Sequence, residues 1–548
     1  MKIPIIKVFD FFIFCFLCFY LGLFITNYSF ISNIVGPTFG LSFLLISRYL
    51  LDKNSFFKNF PLNIISKALK AGDAVKLSFC VFFLFLIFSA LSITRHFSLS
   101  SGSSDLGIFD QAIWNASQGG VLFTSLMGNM NLLGYHFYPI LYVFVPFYKI
   151  WPSPVVLLVL QAFLLATAII PLYLIARDKL KNRLLIYAFI ISYMLSNAAR
   201  GVALSDFHTE CFIIPLLFWI YYFLIKRINV LFFFCIFLLL LCKEDVVFLI
   251  SALGIFAFFF QKRQKMGTAL FLLGISLWFI ETKFIIPYFN PYHKYMYMDR
   301  LPFGPTYSDN MNMLITDPLS IIRFIFTGKK IEYCVKLFGP LGFVSFLSPS
   351  HYILIAVPLL KNLLATANFS GFYNITSHYT AAILPFIYIS AICGSAWLAD
   401  KIRYRKKFLI LSCFIIFSSL MFYGKTDGHK LTRFLNTIRV DGCLRKISYL
   451  KNIPAGASAA TNFNLVPHLS HRKYIFEWSP QSKASYVTEY VAVDMNLLES
   501  LTKEGIAEIG PYFKDIADKG YKKIFASPDG AFLIFHNPYI DKTLVEKL

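Results

Sequence analysis

Long apolar runs recur up to about residue 425 and constrain the fold of the chain more than any other feature. About twenty consecutive apolar residues are needed to cross the hydrocarbon core of a bilayer. The chain is 57% hydrophobic and only 15% charged, whereas a soluble protein has roughly a quarter charged residues. A bundle of membrane-spanning helices is therefore predicted. The runs lie near 8–27, 33–51, 75–95, 153–176, 184–200, 211–225, 230–242, 246–260, 267–288, 379–399 and 408–423, with a pair of short runs near 335–365.

Lys and Arg residues cluster in alternate loops between these runs, which predicts the topology. The segments 96–137, 201–210 and 366–378 contain neither residue type. Because cytoplasmic loops are enriched in Lys and Arg, the N-terminus is predicted to be cytoplasmic and the C-terminal tail extracytoplasmic. The formal net charge of +22 is attributed to this bias, and nucleic-acid binding is not expected, since the tail has no basic stripe with interleaved aromatic residues. The basic loops are 52–70, 177–183, 226–227, 262–265 and 401–407.

The predicted fold class is an α-helical polytopic membrane protein of about 11–13 transmembrane helices with a small C-terminal extracytoplasmic α/β domain. Residues 1–52 are predicted to form an N-terminal transmembrane hairpin. Residues 75–423 form the main transmembrane domain, with long outer loops at 96–138 and 289–334, and residues 424–548 form the soluble domain. Its predicted strands are Tyr474–Phe476, Tyr490–Val493, Lys523–Ala526 and Ala531–His536.

The first outer loop carries two carboxylates and an aromatic-rich stretch. Asp105 and Asp110 follow the apolar run at 75–95 directly, and His136 closes the loop. One interpretation is a solvated loop with an interfacial aromatic belt. The alternative is a catalytic loop at the membrane surface, in which one carboxylate acts as a general base.

Two further polar segments are predicted on the same face. Asp206 and Glu210 are spaced i, i+4 on either side of His208, a spacing that serves either a helix cap or a metal site. Lys243-Glu244-Asp245 is either a charged turn or part of the same site, since charges at membrane depth are costly unless paired. Two histidines, His351 and His378, are also predicted on this face.

The quoted segments resemble DUF2079, a family of bacterial and archaeal polytopic membrane proteins of unknown function. The resemblance covers about residues 75–500. It rests on the run from Asp105 to Asn115, on Asp206-Phe-His208, on Lys243-Glu244-Asp245, on Ser377-His378-Tyr379 and on the segment from Pro467 to Arg472. In layout the family is similar to the GT-C glycosyltransferases, which place a catalytic Asp in the first outer loop and a soluble domain at the outer C-terminal end.

The resemblance implies transfer, with inversion, of a sugar from a polyprenyl-phosphate-linked donor to an extracytoplasmic acceptor in the bacterial inner membrane. Asp105 or Asp110 would be the base. Some relatives need a divalent cation and others lack one; Asp206, Glu210 or Glu244 would hold it here. A transporter or flippase and a non-catalytic envelope assembly protein remain alternatives, and the oligomeric state stays open. The residues implied in binding the donor phosphate or the acceptor are His208, Lys243, Arg200, His378, Tyr379 and His136.

Overall fold

The computed structural model describes residues 72–297, 302–304, 306–423, 440–478, 487–499 and 516–540. The predicted N-terminal hairpin at 1–52 lies outside the described residues. Most of the described chain is helical, and a small sheet lies near its C-terminal end.

The helices fall into two groups along the chain. The first group is α1 (Asp73–Phe97), α2 (Ile108–Ser117), α3 (Val145–Ile150), α4 (Pro154–Thr167), α5 (Ile169–Lys179), α6 (Arg183–Met194), α7 (Asn197–Leu204), α8 (Glu210–Lys226), α9 (Asn229–Leu240), α10 (Val247–Phe259) and α11 (Gln264–Ile280). The second group is α12 (Ile286–Phe289), α13 (Tyr307–Thr316), α14 (Pro318–Ile325), α15 (Gly328–Phe338), α16 (Tyr352–Leu363), α17 (Leu384–Lys401), α18 (Lys407–Tyr423), α19 (Val440–Tyr449) and α20 (Met495–Glu499).

Four helical stretches of the described chain are long and apolar enough to cross a membrane: Asp73–Phe97, Pro154–Lys179, Arg183–Leu204 and Gln264–Phe289. The prediction of 11–13 spans includes two at 1–52, outside the described residues, and the rest of the predicted spans, at about 20 residues each, still outnumber these four. The predicted runs between 211 and 260 form α8, α9 and α10, of 17, 12 and 13 residues. Two other apolar helices of the described chain, Pro139–Ile150 and Lys407–Tyr423, are likewise short.

Helices α10 and α11 pack backbone against backbone at paired glycines. A Cβ on Gly254 would lie 2.7 Å from the carbonyl oxygen of Gly267, and one on Gly267 would lie 2.6 Å from that of Gly254. Small residues at a crossing let helix backbones approach this closely, which is a common way to pair apolar helices. The pairing fixes α10, whose first turn reaches the polar residues described below.

Four connections meet at one end of the helix bundle: residues 98–138, 205–209, 241–246 and 364–383. Contacts among Asp105, His208, Glu210, Lys243 and His378 join them. We call this end of the bundle the loop face.

His351 does not belong to the loop face, so this part of the sequence prediction is wrong. Its Nε2 lies 2.8 Å from the hydroxyl of Tyr221, which is three helical turns along α8 from Glu210. The cause is the direction of α16, which begins directly after His351 and ends at the loop face near Lys361. His351 therefore precedes the end of α16 that points away from the loop face.

The described chain has a two-stranded ribbon of β1 (Phe123–Thr124) with β2 (Met130–Asn131) and, at 440–540, a C-terminal sheet domain. The strands of this domain are β3 (Ala459–Thr461), β4 (Ile475–Glu477), β5 (Tyr490–Asp494), β6 (Lys522–Ala526) and β7 (Phe532–His536). They form a mixed five-stranded sheet of order β4-β3-β5-β7-β6. Strand β3 is parallel to β4 and to β5, while β7 is antiparallel to β5 and to β6. The four predicted strands are confirmed within a residue or so, and β3 was missed.

Candidate functional site

Asp105 lies in a single π-helical turn, Ser103–Gly107, that precedes α2. The turn is closed by a hydrogen bond from the amide of Gly107 to the carbonyl of Gly102 at 3.1 Å. Such one-turn π-bulges add a residue to a helix and occur frequently at functional sites. The side chain of Asp105 is 43% exposed, so its carboxylate can be reached from outside the protein.

His208 supports the Asp105 carboxylate from the protein side. Its Nε2 lies 3.1 Å from Asp105 Oδ1, and the imidazole itself is buried. The ring of His378 stacks on that of His208 with centroids 3.6 Å apart, and His378 Nε2 lies 3.9 Å from a carboxylate oxygen of Glu210. Lys243 donates to the same oxygen at 2.9 Å. Residues from four different segments thus form one continuous cluster.

The charges of Asp105 and His208 stabilise each other. Partial burial opposes ionisation of Asp105, but His208, and then His378 and Arg95, lower the pKa of this carboxyl overall. Burial also opposes ionisation of His208 and so lowers its pKa, but Asp105 and Glu210 have the larger combined effect and raise the pKa of His208 above the ordinary value. A carboxylate beside an imidazolium is the arrangement that both shifts favour.

His136 and Glu244 form a second pair next to Lys243. His136 Nδ1 lies 2.5 Å from Glu244 Oε1, which also accepts a hydrogen bond from the hydroxyl of Tyr295 at 3.1 Å. Burial opposes ionisation of Glu244, but His136 and Lys243 lower the pKa of Glu244 to about 2. An ionised carboxylate only accepts hydrogen bonds, so Nδ1 of His136 carries the proton.

The three acidic residues that the sequence offers as metal ligands have separate partners. Asp206 forms an ion pair with Arg95 and accepts the amide of Gly102 at 3.0 Å, whereas Glu210 pairs with Lys243 and Glu244 with His136. Within the described residues no group of three or more His, Cys, Asp or Glu side chains is placed to hold a metal ion. Through its hydrogen bond with the amide of Gly102, Asp206 instead holds in place the residue that precedes the π turn.

Arg200 is a buried residue of α7. Its guanidinium donates to Asn197 Oδ1 at 2.6 Å and to the carbonyl of Tyr423 at 3.2 Å, and it lies over the Tyr423 ring at 4.5 Å. These contacts join α7 to the end of α18. The structure thus gives Arg200 a role in packing these helices.

Asp110 has an environment opposite to that of Asp105, because it is fully buried. The hydroxyl of Tyr148 donates to its Oδ1 at 2.5 Å, and the hydroxyl of Ser470 donates to its Oδ2. Nε2 of His471 lies 3.0 Å from Oδ2. Ser470 and His471 belong to the C-terminal sheet domain, so Asp110 binds that domain to the loop face.

Gln111, the next residue, extends the same interface. Its side-chain amide donates to the carbonyls of Arg472 and Lys473 at 3.1 and 2.9 Å and to Ser125 Oγ at 3.0 Å. Its oxygen accepts from Thr124 Oγ1 and from the amide of Ser125 at 2.8 and 3.0 Å. The sheet domain is therefore held against the loop that carries Asp105.

Two cavities adjoin the cluster. One, of about 240 Å³, is lined by His136, Lys243, Glu244 and several aromatic rings. The other, of about 320 Å³, is lined by Glu210 and His378 and by apolar residues, most of them on α10 and α16. Asp105 lines neither cavity and reaches them only through His208 and His378.

The sequence reasoning missed Lys361, which lines both cavities and forms an ion pair with Asp245 at 2.7 Å. A charge within the apolar pair of runs at 335–365 was the available signal, because such a charge is costly without a partner. Tyr148, the buried donor to Asp110, carried no such signal.

The helical bundle with a polar cluster at one end defines an integral membrane protein of the α-helical class. The sequence profile of a family described as a predicted membrane protein, DUF2079, matches residues 95–505. This is well over half of the 548 residues. The chain therefore belongs to the DUF2079 family, as its motifs predicted. Among curated proteins no match was found.

Proposed function

We propose that this chain is a glycosyltransferase that moves a sugar from a polyprenyl-phosphate-linked donor to an acceptor on the extracytoplasmic side of a bacterial inner membrane. The observation that carries the proposal is the state of Asp105, an accessible carboxylate held by a buried histidine. The proposal also rests on the resemblance in sequence layout to GT-C enzymes, which place a catalytic Asp in the first outer loop. In this proposal the loop face is extracytoplasmic, in accord with the absence of Lys and Arg from 96–137 and 201–210.

Asp105 rather than Asp110 is the proposed base. A base must contact the hydroxyl from which it takes a proton, and the side chain of Asp105 is accessible whereas that of Asp110 is fully buried. Both oxygens of Asp110 already accept hydrogen bonds from Tyr148 and Ser470. Asp110 is then a positioning residue that holds the sheet domain in place.

The proposed reaction is a single displacement at the anomeric carbon. Asp105 takes the proton of the acceptor hydroxyl, and the acceptor oxygen forms a bond to that carbon from the face opposite the phosphate. The bond between the anomeric carbon and the phosphate oxygen breaks, and the polyprenyl phosphate leaves with the electron pair. His208 holds Asp105 in its ionised form and fixes its direction, while Lys243, His378, Tyr379 and His136 supply donors near the leaving phosphate.

The test is sugar transfer from radiolabelled polyprenyl-phosphate sugars in membranes containing the wild type or Asp105→Asn. We expect transfer to fall by about 10²–10⁴-fold in the variant, which is the usual contribution of a general base, with unchanged membrane insertion. Asp309→Asn is the matched control, since Asp309 caps α13 in a separate part of the chain.

Wild-type transfer rates in the Asp105→Asn variant would overturn the assignment of the base. If no donor supports transfer and the same variant complements a deletion strain as well as the wild type does, the chain acts in envelope assembly without catalysis.

A further inference from the structure

The two cavities beside the cluster differ in chemistry. The smaller, which we call the aromatic chamber, is lined by Trp278, Tyr295, Tyr297 and Phe372 together with Glu244. The larger, which we call the apolar groove, is lined mainly by apolar residues, among them Phe248, Leu249, Val357 and Leu360. A ligand that fills both must therefore be amphipathic.

Each cavity matches one part of such a ligand. Aromatic rings pack against the C–H faces of a pyranose ring, and the carboxylates and amino groups between them can bind its hydroxyls. The groove is open on the side of two apolar helices, where Phe248 and Leu360 are 42% and 45% exposed. An apolar chain can enter there from the bilayer.

Lys361 lies where the two cavities meet, because it lines both, as do Asp245 and Tyr379. Its ammonium forms an ion pair with Asp245 at 2.7 Å, and the two side chains are 32% and 22% exposed. Partly exposed pairs of this kind contribute little to stability, so an anion can displace Asp245 at small cost. In a lipid-linked sugar the phosphate stands between the chain and the sugar, which is the position that Lys361 occupies between groove and chamber.

We propose that the groove and the chamber bind one polyprenyl-phosphate sugar, with its chain in the apolar groove, its sugar in the aromatic chamber and its phosphate on Lys361. The inference rests on the proposed function, since it places the donor of that reaction. The chamber favours this lipid over a bulk diacyl phospholipid, which has no sugar ring to stack on Trp278 and Tyr297. Asp105 lines neither cavity, so in the proposed reaction the acceptor hydroxyl must lie between Asp105 and the anomeric carbon of the sugar.

The test measures binding of radiolabelled farnesyl phosphate, and of its glucose and mannose esters, to the full-length protein in nanodiscs. We expect Lys361→Ala to weaken binding of all three probes by about tenfold or more, the usual effect of losing a hydrogen bond to a charged group. Lys361→Arg should retain binding. Asp245→Asn should bind the probes at least as tightly as the wild type, because it releases Lys361. Lys336→Ala is the matched control, because Lys336 forms a similarly exposed ion pair with Glu332 away from both cavities.

A second variant separates the chamber from the phosphate position. Trp278→Leu should weaken binding of at least one sugar ester and leave that of farnesyl phosphate unchanged. Unaltered binding by Lys361→Ala, or equal competition by phosphatidylglycerol, would overturn the inference.

The Asp105→Asn variant should bind the probes like the wild type, since Asp105 lines neither cavity. Binding that depends on Lys361, without transfer by the wild type, would support the lipid site and refute the proposed function. Transfer by the wild type together with normal binding by Lys361→Ala would support the proposed function and refute the lipid site.

Discussion

At the scale of single residues, Asp105 and Asp110 show how tertiary contacts assign different roles to similar side chains. They lie in one loop, in a segment whose sequence offers both as bases. One is 43% exposed beside His208, and the other is fully buried against Ser470 and His471. Ser470 and His471 come from about 360 residues further along the chain, which no local pattern can reveal.

The His208–Asp105 pair predicts how activity depends on pH. Because His208 lowers the pKa of Asp105, the base is ionised above that lowered pKa and activity is lost as the pH falls through it. Replacing His208 with Gln removes the positive partner, so the pKa of Asp105 should rise. The acid limb of the kcat/KM profile should then move to higher pH.

The profile also tests the raised pKa of His208 itself. The imidazolium is present below this pKa and is lost as the pH rises through it, so the alkaline limb of the wild-type profile should be absent from His208→Gln. A variant with lower activity but an unshifted acid limb would show that His208 only packs against His378.

At the scale of elements, patterns that repeat along the chain were predictable and local irregularities were not. Four of the five strands of the sheet domain follow from short apolar runs, whereas β3, Ala459–Thr461, has two alanines and a single β-branched residue, which is a weak strand signal. The π turn at Ser103–Gly107 has no sequence signal of its own. It exists because Asp206 binds Gly102 while α2 is held by the sheet domain.

The π turn yields a prediction about length. Deleting Ser104, whose side chain is exposed, removes the extra residue and should restore an α-helical turn. Asp105 would then rotate away from His208, so transfer should be lost while thermal unfolding in detergent changes little. Ser104→Ala keeps the length and should keep the activity. Equal activity of the deletion and the substitution would show that the π turn has no role in orienting Asp105.

At the scale of the whole molecule, composition predicted the class of protein and the motifs predicted the family. The number of helices long enough to span a membrane could not be predicted in the same way. Breaks at 195–196, 227–228 and 241–246 divide the apolar sequence into helices of unequal length. Tertiary contacts account for the break at 241–246, because polar residues of this segment belong to the cluster at the loop face. Which histidines reach that face depended on the direction of α16, and the sequence placed His351 wrongly for this reason.

The contact between the sheet domain and the helix bundle yields the last prediction. Gln111 is fully buried and bridges the loop of Asp105 to the carbonyls of Arg472 and Lys473. Replacing it with Leu leaves these carbonyls and the amide of Ser125 without their partner, at about 1–3 kcal/mol for each buried group. The 462–477 segment should then be cleaved faster by limited proteolysis.

The matched control is Gln118→Leu, at the exposed C-terminal end of the same helix, which should be cleaved like the wild type. If the sheet domain holds the Asp105 loop in its active form, Gln111→Leu should also lower transfer, although Gln111 contacts neither cavity. Rapid proteolysis with undiminished transfer would show instead that the helix bundle alone maintains the arrangement of Asp105 and His208.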